Sequence, residues 1–271
     1  MPEGDTVHKI ARALRPRLEG ERLASLWLRE QGAVAPLAGA RVREVAALGK
    51  HLLIVLEPAG GGHERVLHVH LGMHGRWARL APDAPRAPAE RVRLATGREA
   101  FACTKAAVTE LLRRGELADH RVLARLGPDL LADELALDAV VARARRRDPP
   151  TVADLLLDQR VACGLGNVYK SELLFLEGLA PRTSPRALPD ARLAALYERG
   201  RALLRANLGG WPRTTTGAVR PGAPWPPGMP RLWVYDRVGR PCLRCGAPIE
   251  LDRHGSLARA TFWCPRCQRE A

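Results

Sequence analysis

Residues 151–179 read TVADLLLDQRVACGLGNVYKSELLFLEGL, and their reading decides the fold of the second half of the chain. Thr151 with Asp154 three positions on resembles a capping box, and Leu155 to Leu157 supply the apolar face of a first helix. Gly164 and Gly166 permit a tight turn, Asn167 is a good cap for a second helix, and Gly178 followed by Pro181 marks where that helix ends. A glycine turn that delivers free backbone N–H groups into a helix N-terminus is a ready site for a phosphate. Taken alone, the stretch fits a purely structural pair of helices as well as a nucleic-acid contact.

Outward from this stretch, helical spacing runs from about 105 to 208, in AAVTELLRR, DELALDAVVARARRR and DARLAALYERGRALLRANL. Upstream, Val7, Ile10, Ala11, Leu14 and Leu18 mark an amphipathic opening helix, and RLASLWL, HLLIVLE, RVLHVHL and RVRLAT read as strands. HLLIVLE is apolar on both faces, as a strand buried between two layers would be. LAPDAPRAPAE is a loop. TTTGAVRPGAPWPPGMP (214–230) is too rich in Pro and Gly for regular structure and is expected to be a long, mobile loop, followed by a strand-like RLWVYDR. The expected architecture is α+β and multidomain. It comprises an N-terminal helix with an antiparallel β-sandwich (1–115), a helical domain (116–213), the loop (214–230) and a cysteine-rich tail (231–271).

The 271 residues carry a formal net charge of +14, which favours a polyanionic partner. Of 43 Lys plus Arg, only Lys9, Lys50, Lys105 and Lys170 are lysines, so a lysine kept against the arginine bias draws notice: its amine can lose a proton when desolvated. No secretory leader and no apolar run of membrane-spanning length is evident, so a soluble cytoplasmic chain without a membrane partner is expected. Cys242, Cys245, Cys264 and Cys267 form C-x2-C-x18-C-x2-C, the spacing of a closed, structural four-thiolate Zn2+ site rather than of disulfides. The hairpin between the two pairs, DRHGSLARATFW, carries Arg253 and Arg259, each either a solvated charge or a group that reaches a DNA groove. His68 and His70 share a strand face, but no third metal ligand is evident and a structural role is expected; Cys103 and Cys163 are expected in the interior.

Three motifs in register, MPEG at 1–4, GLGNVYKSE at 164–172 and ATFWCPRCQ at 260–268, are similar to those of the formamidopyrimidine-DNA glycosylase/endonuclease VIII family, and the resemblance extends over essentially the full length. LGKHLLIVLEP, HLGMHGRW and ARLGPDLL fall where that family has comparable segments. The resemblance implies a DNA glycosylase of base excision repair with an abasic-site lyase activity. It also implies an N-terminal β-sandwich, a helix–two-turn–helix domain and a zinc finger, in a monomer associated with the nucleoid.

The resemblance also implies roles. Removal of Met1 would leave Pro2 with a secondary amine that attacks C1′ of the damaged nucleotide and forms an iminium. α-Amino groups titrate at about 7.7–8.0, so a useful neutral fraction exists at physiological pH. Glu3 would donate a proton to the opening sugar ring, which requires a carboxyl that burial keeps neutral for part of the cycle. Lys50 matches a strand lysine with a proton-donor role in β-elimination. Arg259 matches a zinc-finger arginine assigned to δ-elimination; a guanidinium is a poor acid, so it would clamp the departing phosphate. Asn167, Gly166 and their turn would grip the DNA backbone, Arg125 would contact DNA, and Met73 would fill the gap left by a flipped base, unless it is a buried core residue.

Two departures matter. Thr6 stands where many members have a further glutamate, so Asp5, a water or another group would replace it; and REAFACTKAAVTELL lacks the Arg-Arg-Phe loop of the formamidopyrimidine enzymes. That absence, together with MPEG and FWCPRCQ, places the chain nearer endonuclease VIII, which implies oxidised pyrimidines and abasic sites in double-stranded DNA, with single-stranded or bubble DNA as further substrates. The competing readings are oxidised-purine excision and a catalytically silent protein that binds damaged DNA.

Overall fold

The computed structural model describes residues 1–147, 149–210, 212–217, 225–255 and 258–270, with the side chain of His254 excluded. The centre of the 214–230 loop and the tip of the cysteine-rich hairpin therefore lie outside the described residues. The chain divides into two compact units, Met1–Arg125 and Leu126–Ala271, so the first runs past the expected boundary at 115. Among the described residues, no helix is long and apolar enough to cross a membrane.

The first unit opens with helix α1 (Gly4–Leu18), which buries Val7, Ala11, Leu14 and Leu18 on one face as its spacing requires. Nine strands follow: β1 (Leu23–Leu28), β2 (Gly32–Ala33), β3 (Arg41–Leu48), β4 (His51–Glu57), β5 (Arg65–His70), β6 (Arg76–Leu80), β7 (Glu90–Thr96), β8 (Ala100–Thr104) and β9 (Val108–Arg113). They form two antiparallel sheets, ordered β2-β1-β7-β8-β6 and β3-β4-β5-β9. Leu26, Leu94 and Phe101 of the first sheet share one core with Ile54, Leu67 and Val69 of the second and with α1, which is the expected sandwich. The end of α1 is clamped to β3 at Val45: Arg15 Nε donates to the Val45 carbonyl (2.7 Å), and the Glu19 carboxylate accepts from its N–H (2.7 Å).

AAVTELLRR is not helical. Val108–Arg113 is β9, paired with β5 from His70↔Val108 to Arg65↔Arg113. Val108, Leu111 and Leu112 sit three and four apart and imitate a helical stripe. The open edge of β5 decides instead, because its backbone groups need partners that a helix would not supply.

The second unit holds α2 (Leu137–Arg147), α3 (Val152–Leu157), α4 (Asn167–Leu176), α5 (Asp190–Ala206) and a hairpin of β10 (Glu250–His254) and β11 (Arg259–Trp263). Leu155, Leu173, Leu193, Leu196 and Tyr197 meet in the helical core. Thr151 caps α3 by accepting from Asp154 N (3.1 Å), and its hydroxyl donates to the Asp154 carboxylate (2.6 Å). The cap of α4 is Gly166; Asn167 is the first helical residue, so the expectation that Asn167 caps the helix is corrected. Gly178 leaves α4 with φ +67°.

RLWVYDR is not a strand either. The N–H groups of Trp233, Val234 and Tyr235 all converge on the buried Glu172 carboxylate, at 2.8, 2.9 and 2.8 Å. Successive strand N–H groups point in opposite directions, so three in a row cannot share one acceptor. The stem of the 214–230 loop is tied down as well: Thr214 and Thr216 hydroxyls donate to the carbonyls of Arg231 (2.9 Å) and Pro230 (2.7 Å).

Candidate active site and nucleic-acid interface

The sequence-predicted residues divide between the two units. In the first, Pro2 is half-buried immediately before α1, and Glu3 is the residue before its first turn, 1% exposed, with its carbonyl accepting from Thr6 N (3.0 Å). Asp5 is fully buried and accepts from the Thr6 hydroxyl (3.4 Å) and from Lys9 Nζ (3.5 Å). Thr6 therefore sits against Asp5, one of the groups that could stand in for the family's further glutamate.

Lys50 is half-buried at the turn between β3 and β4, where Gly49 has φ +56°. Beside it four imidazoles and a carboxylate cluster. His68 Nδ1 and His120 Nε2 both meet Glu110 Oε2, at 2.9 and 3.0 Å, and His51 Nδ1 lies 2.8 Å from His68 Nε2. Burial lowers His51 to about 3 and His70 to about 4, and the Lys50 charge acts on both in the same direction. Burial also lowers His68, against the pull of Glu110. Burial pushes Glu110 up, but the hydrogen bonds from His68 and His120 outweigh it and hold the carboxyl below its ordinary value.

His68 with Glu110 and His120, which the sequence did not single out, brings three donor atoms within 4.8 Å of one another. The tautomers nevertheless argue for a proton-linked cluster rather than a metal. His120 Nδ1 accepts from the N–H groups of Val122 (3.3 Å) and Leu123 (3.1 Å), so in the neutral ring Nε2 carries the proton and donates to Glu110. A metal at Nε2 would need that proton on Nδ1, facing two donors. The structural role expected for His68 fits this geometry.

Met73 is 59% exposed in the turn after β5, which excludes the buried-core alternative for this residue. The turn is tight: Gly75 N donates to Leu71 O (3.0 Å), Gly72 has φ +64°, and a Cβ on Gly75 would lie 2.8 Å from Leu71 Cα. Arg125 is exposed at the end of the first unit. Cys103 is buried, its thiol pushed up to about 12 by burial; Cys163 is buried in the second unit.

In the second unit, Gln159 builds the glycine turn from inside. Its Nε2 donates to the carbonyls of Leu157 (2.9 Å) and Leu165 (3.0 Å), and its Oε1 accepts from Gly164 N (3.2 Å). The turn delivers Gly166 and the half-buried Asn167 to the start of α4. Lys170, 0% exposed, donates from Nζ to Asn167 Oδ1 (3.1 Å) and to the Ala260 carbonyl (2.9 Å). Arg259, one residue before Ala260, is exposed at the start of β11. Arg253 turns back onto its own hairpin, donating to Ala258 O (3.1 Å). Glu172 was not singled out from the sequence. Besides the three backbone donors it takes the Thr215 hydroxyl, while burial pushes its pKa up against those bonds.

The four tail thiols lie within 4.8 Å of one another, with Cys242–Cys267 Sγ atoms 3.9 Å and Cys245–Cys264 Sγ atoms 3.5 Å apart. Zn–S bonds of about 2.3 Å at tetrahedral angles put sulfurs roughly 3.8 Å apart, whereas a disulfide needs about 2.05 Å. The residues fit one structural zinc ion with all four positions taken.

Family models cover most of the chain. Residues 1–111 match the formamidopyrimidine-DNA glycosylase N-terminal domain, 126–215 the H2TH domain of the same enzymes, and 239–269 a zinc finger found in FPG and IleRS. The chain belongs to the formamidopyrimidine-DNA glycosylase/endonuclease VIII family. Its class is that of DNA glycosylases and abasic-site lyases in DNA repair. It is 40% identical to the DNA-(apurinic or apyrimidinic site) lyase Nei2 of Mycolicibacterium smegmatis, over 99% of both chains. It is 38% identical to a probable endonuclease 8 2 of Streptomyces coelicolor, over 99% of this chain and 94% of the relative. It is 33% identical to a formamidopyrimidine-DNA glycosylase of Alcanivorax borkumensis, over 99% and 100%. Among solved structures, Lactococcus lactis formamidopyrimidine-DNA glycosylase with DNA containing an abasic site superposes with a TM-score of 0.80. At 21% identity over 99% of this chain and 100% of that one, this likeness establishes the fold.

Proposed function

We propose that this family member removes oxidised pyrimidines from double-stranded DNA and nicks the resulting abasic site, acting as a monomer on DNA. In this reading, processing exposes the Pro2 nitrogen. Its lone pair attacks C1′, the glycosidic bond breaks with the electron pair leaving on the base, and the nitrogen becomes an iminium on the sugar. Glu3 protonates the ring oxygen as the ring opens. With the iminium as electron sink, the Glu3 carboxylate takes a C2′ proton and the C3′–O bond breaks with its electron pair on the departing 3′ phosphate, Lys50 serving as proton donor in this β-elimination; Arg259 stabilises the phosphate that leaves in δ-elimination. Gly166 and Asn167 hold the backbone, Arg125 adds a phosphate contact, and Met73 fills the space of the everted base.

The observation that carries this reading is the placement of Glu3. Glu3 is only 1% exposed, adjoins Pro2 and stands at the head of a helix packed into the sandwich core, so its carboxyl is fixed beside the amino terminus.

The test is a panel of duplexes with thymine glycol, dihydrouracil, 8-oxoguanine, a formamidopyrimidine or an abasic site, plus single-stranded and bubble versions. Excision of the pyrimidine lesions ahead of the purine ones is expected, with Glu3→Gln losing excision while still binding. The 33% relative named for formamidopyrimidines makes the reverse ranking the outcome that would replace this specificity. Binding with no excision of any lesion would favour the silent scaffold.

A further inference from the structure

Lys170 is one of four lysines in a chain whose other 39 basic residues are arginines, and it is fully buried in the first turn of α4. Lysines are almost never buried completely unless the amine is satisfied. Here Nζ donates at once to the side chain of Asn167 and to the backbone of Ala260, the residue after Arg259. Ser171 adds a second stitch between the same two segments, donating from Oγ to Asn167 O (3.0 Å) and accepting from Phe262 N (3.3 Å).

The bond to Asn167 has a chemical consequence. A donor at Oδ1 fixes which end of the amide faces the lysine, and so leaves the two Nδ2 hydrogens for an acceptor oxygen. A phosphate presents only acceptors. The bond to Ala260 fixes the strand on which Arg259 stands. We propose that Lys170 is a positioning residue, one buried amine that turns the donor end of Asn167 toward DNA and sets the strand register of Arg259. The inference rests on reading Asn167 and Arg259 as DNA contacts.

Being buried, Lys170 neutralises no phosphate itself, which makes its removal diagnostic. Each phosphate contact contributes about 0.9 to the slope of log affinity against log salt. On a duplex with a tetrahydrofuran abasic analogue, zinc-loaded Lys170→Met should bind about tenfold more weakly at fixed salt. Its slope should be smaller by about one, as Arg259 loses its phosphate. Added to Arg259→Ala, the same substitution should leave the slope where Arg259→Ala put it. A wild-type slope in Lys170→Met, or a second full decrement on the Arg259→Ala background, would overturn the proposal.

Nitrogen-detected NMR of the lysine ammonium groups in the wild-type zinc-loaded protein tests the tether itself if Lys170→Met does not fold, and Lys170→Arg with the same salt titration then reads the DNA role. Only four signals arise. Lys170 should exchange its protons far more slowly than the exposed Lys105; equally fast exchange contradicts the tether. If Arg259→Ala itself leaves the salt slope unchanged, the DNA role of Arg259 falls and the proposed role of Lys170 in placing it falls with it.

Discussion

Glu172→Gln should destabilise the second unit far more than its single-atom change suggests. The wild-type carboxylate is 0% exposed, with Oε1 accepting from the N–H groups of Val234 and Tyr235 and Oε2 from the Thr215 hydroxyl and the N–H of Trp233. A glutamine oxygen can keep the first pair. Its NH2 then faces the Trp233 N–H, donor against donor, while Thr215 can rotate to accept. One hydrogen bond to a charged group is lost, at about 1.5–3 kcal/mol, and one buried N–H is left without an acceptor, at about 1–3 kcal/mol. No longer having to bury a charge offsets part of this and leaves roughly 3 kcal/mol. At roughly 3 °C per kcal/mol for a unit of this size, Tm should fall by about 9 °C. Calorimetry of the zinc-loaded protein, with Glu172→Ala as the larger perturbation, checks it. A shift below about 2 °C would mean that the carboxylate does not organise the 233–235 segment, and the account of why that segment is not a strand would fail.

Other outcomes follow from the same structure. His51 is neutral in the folded state, its pKa held near 3 against 6.5 when exposed, so the unfolded chain binds the extra proton as pH falls below 6.5. Stability is therefore full above pH 6.5 and should drop by about 2 kcal/mol from His51 alone between pH 7.5 and 5, with a similar direction and size from His70, whose pKa near 4 also lies below that window. His51→Gln should flatten that slope in denaturant titrations, and an unchanged slope would refute the assignment. Gly127→Ala should destabilise the second unit by about 3 kcal/mol or more, since the new Cβ would press on the Val161 carbonyl and lie 2.8 Å from Ala162 N, all backbone; a change within 0.5 kcal/mol in chemical denaturation would count against the packing there. Chelation should release one zinc ion per chain and cost the Cys242, Ile249 and Cys264 cluster its order, seen as lost dispersion in NMR spectra; two ions per chain would revive the histidine cluster as a metal site.

Much of this was legible in residue spacing. The α1 stripe, the doubly buried β4, the cysteine pairs and the glycine turn each express a local rule, and the fold obeys it. What escaped was decided by partners distant in sequence. The apolar triplet Val108, Leu111 and Leu112 satisfies helical spacing, and only the unpaired edge of β5 makes it a strand. The 231–237 segment carries β-forming side chains, but a carboxylate sixty residues upstream gathers its N–H groups. Glu110 and His120 join His68 only through the β5–β9 pairing and the turn that follows it, so His68 showed no third partner in the sequence. Lys170 left a fainter signal, a lysine retained among arginines, whose purpose needed coordinates.

The proposed chemistry stands or falls with the Pro2 nitrogen as nucleophile. Borohydride reduction of the wild-type protein on abasic-site DNA, followed by nuclease trimming, proteolysis and mass spectrometry, reads the attachment site directly. The account predicts a peptide that starts at Pro2, lacks Met1 and carries the sugar remnant on its amino-terminal nitrogen. A remnant on Lys50 or any other side chain, or full activity in a chain that retains Met1, would contradict it.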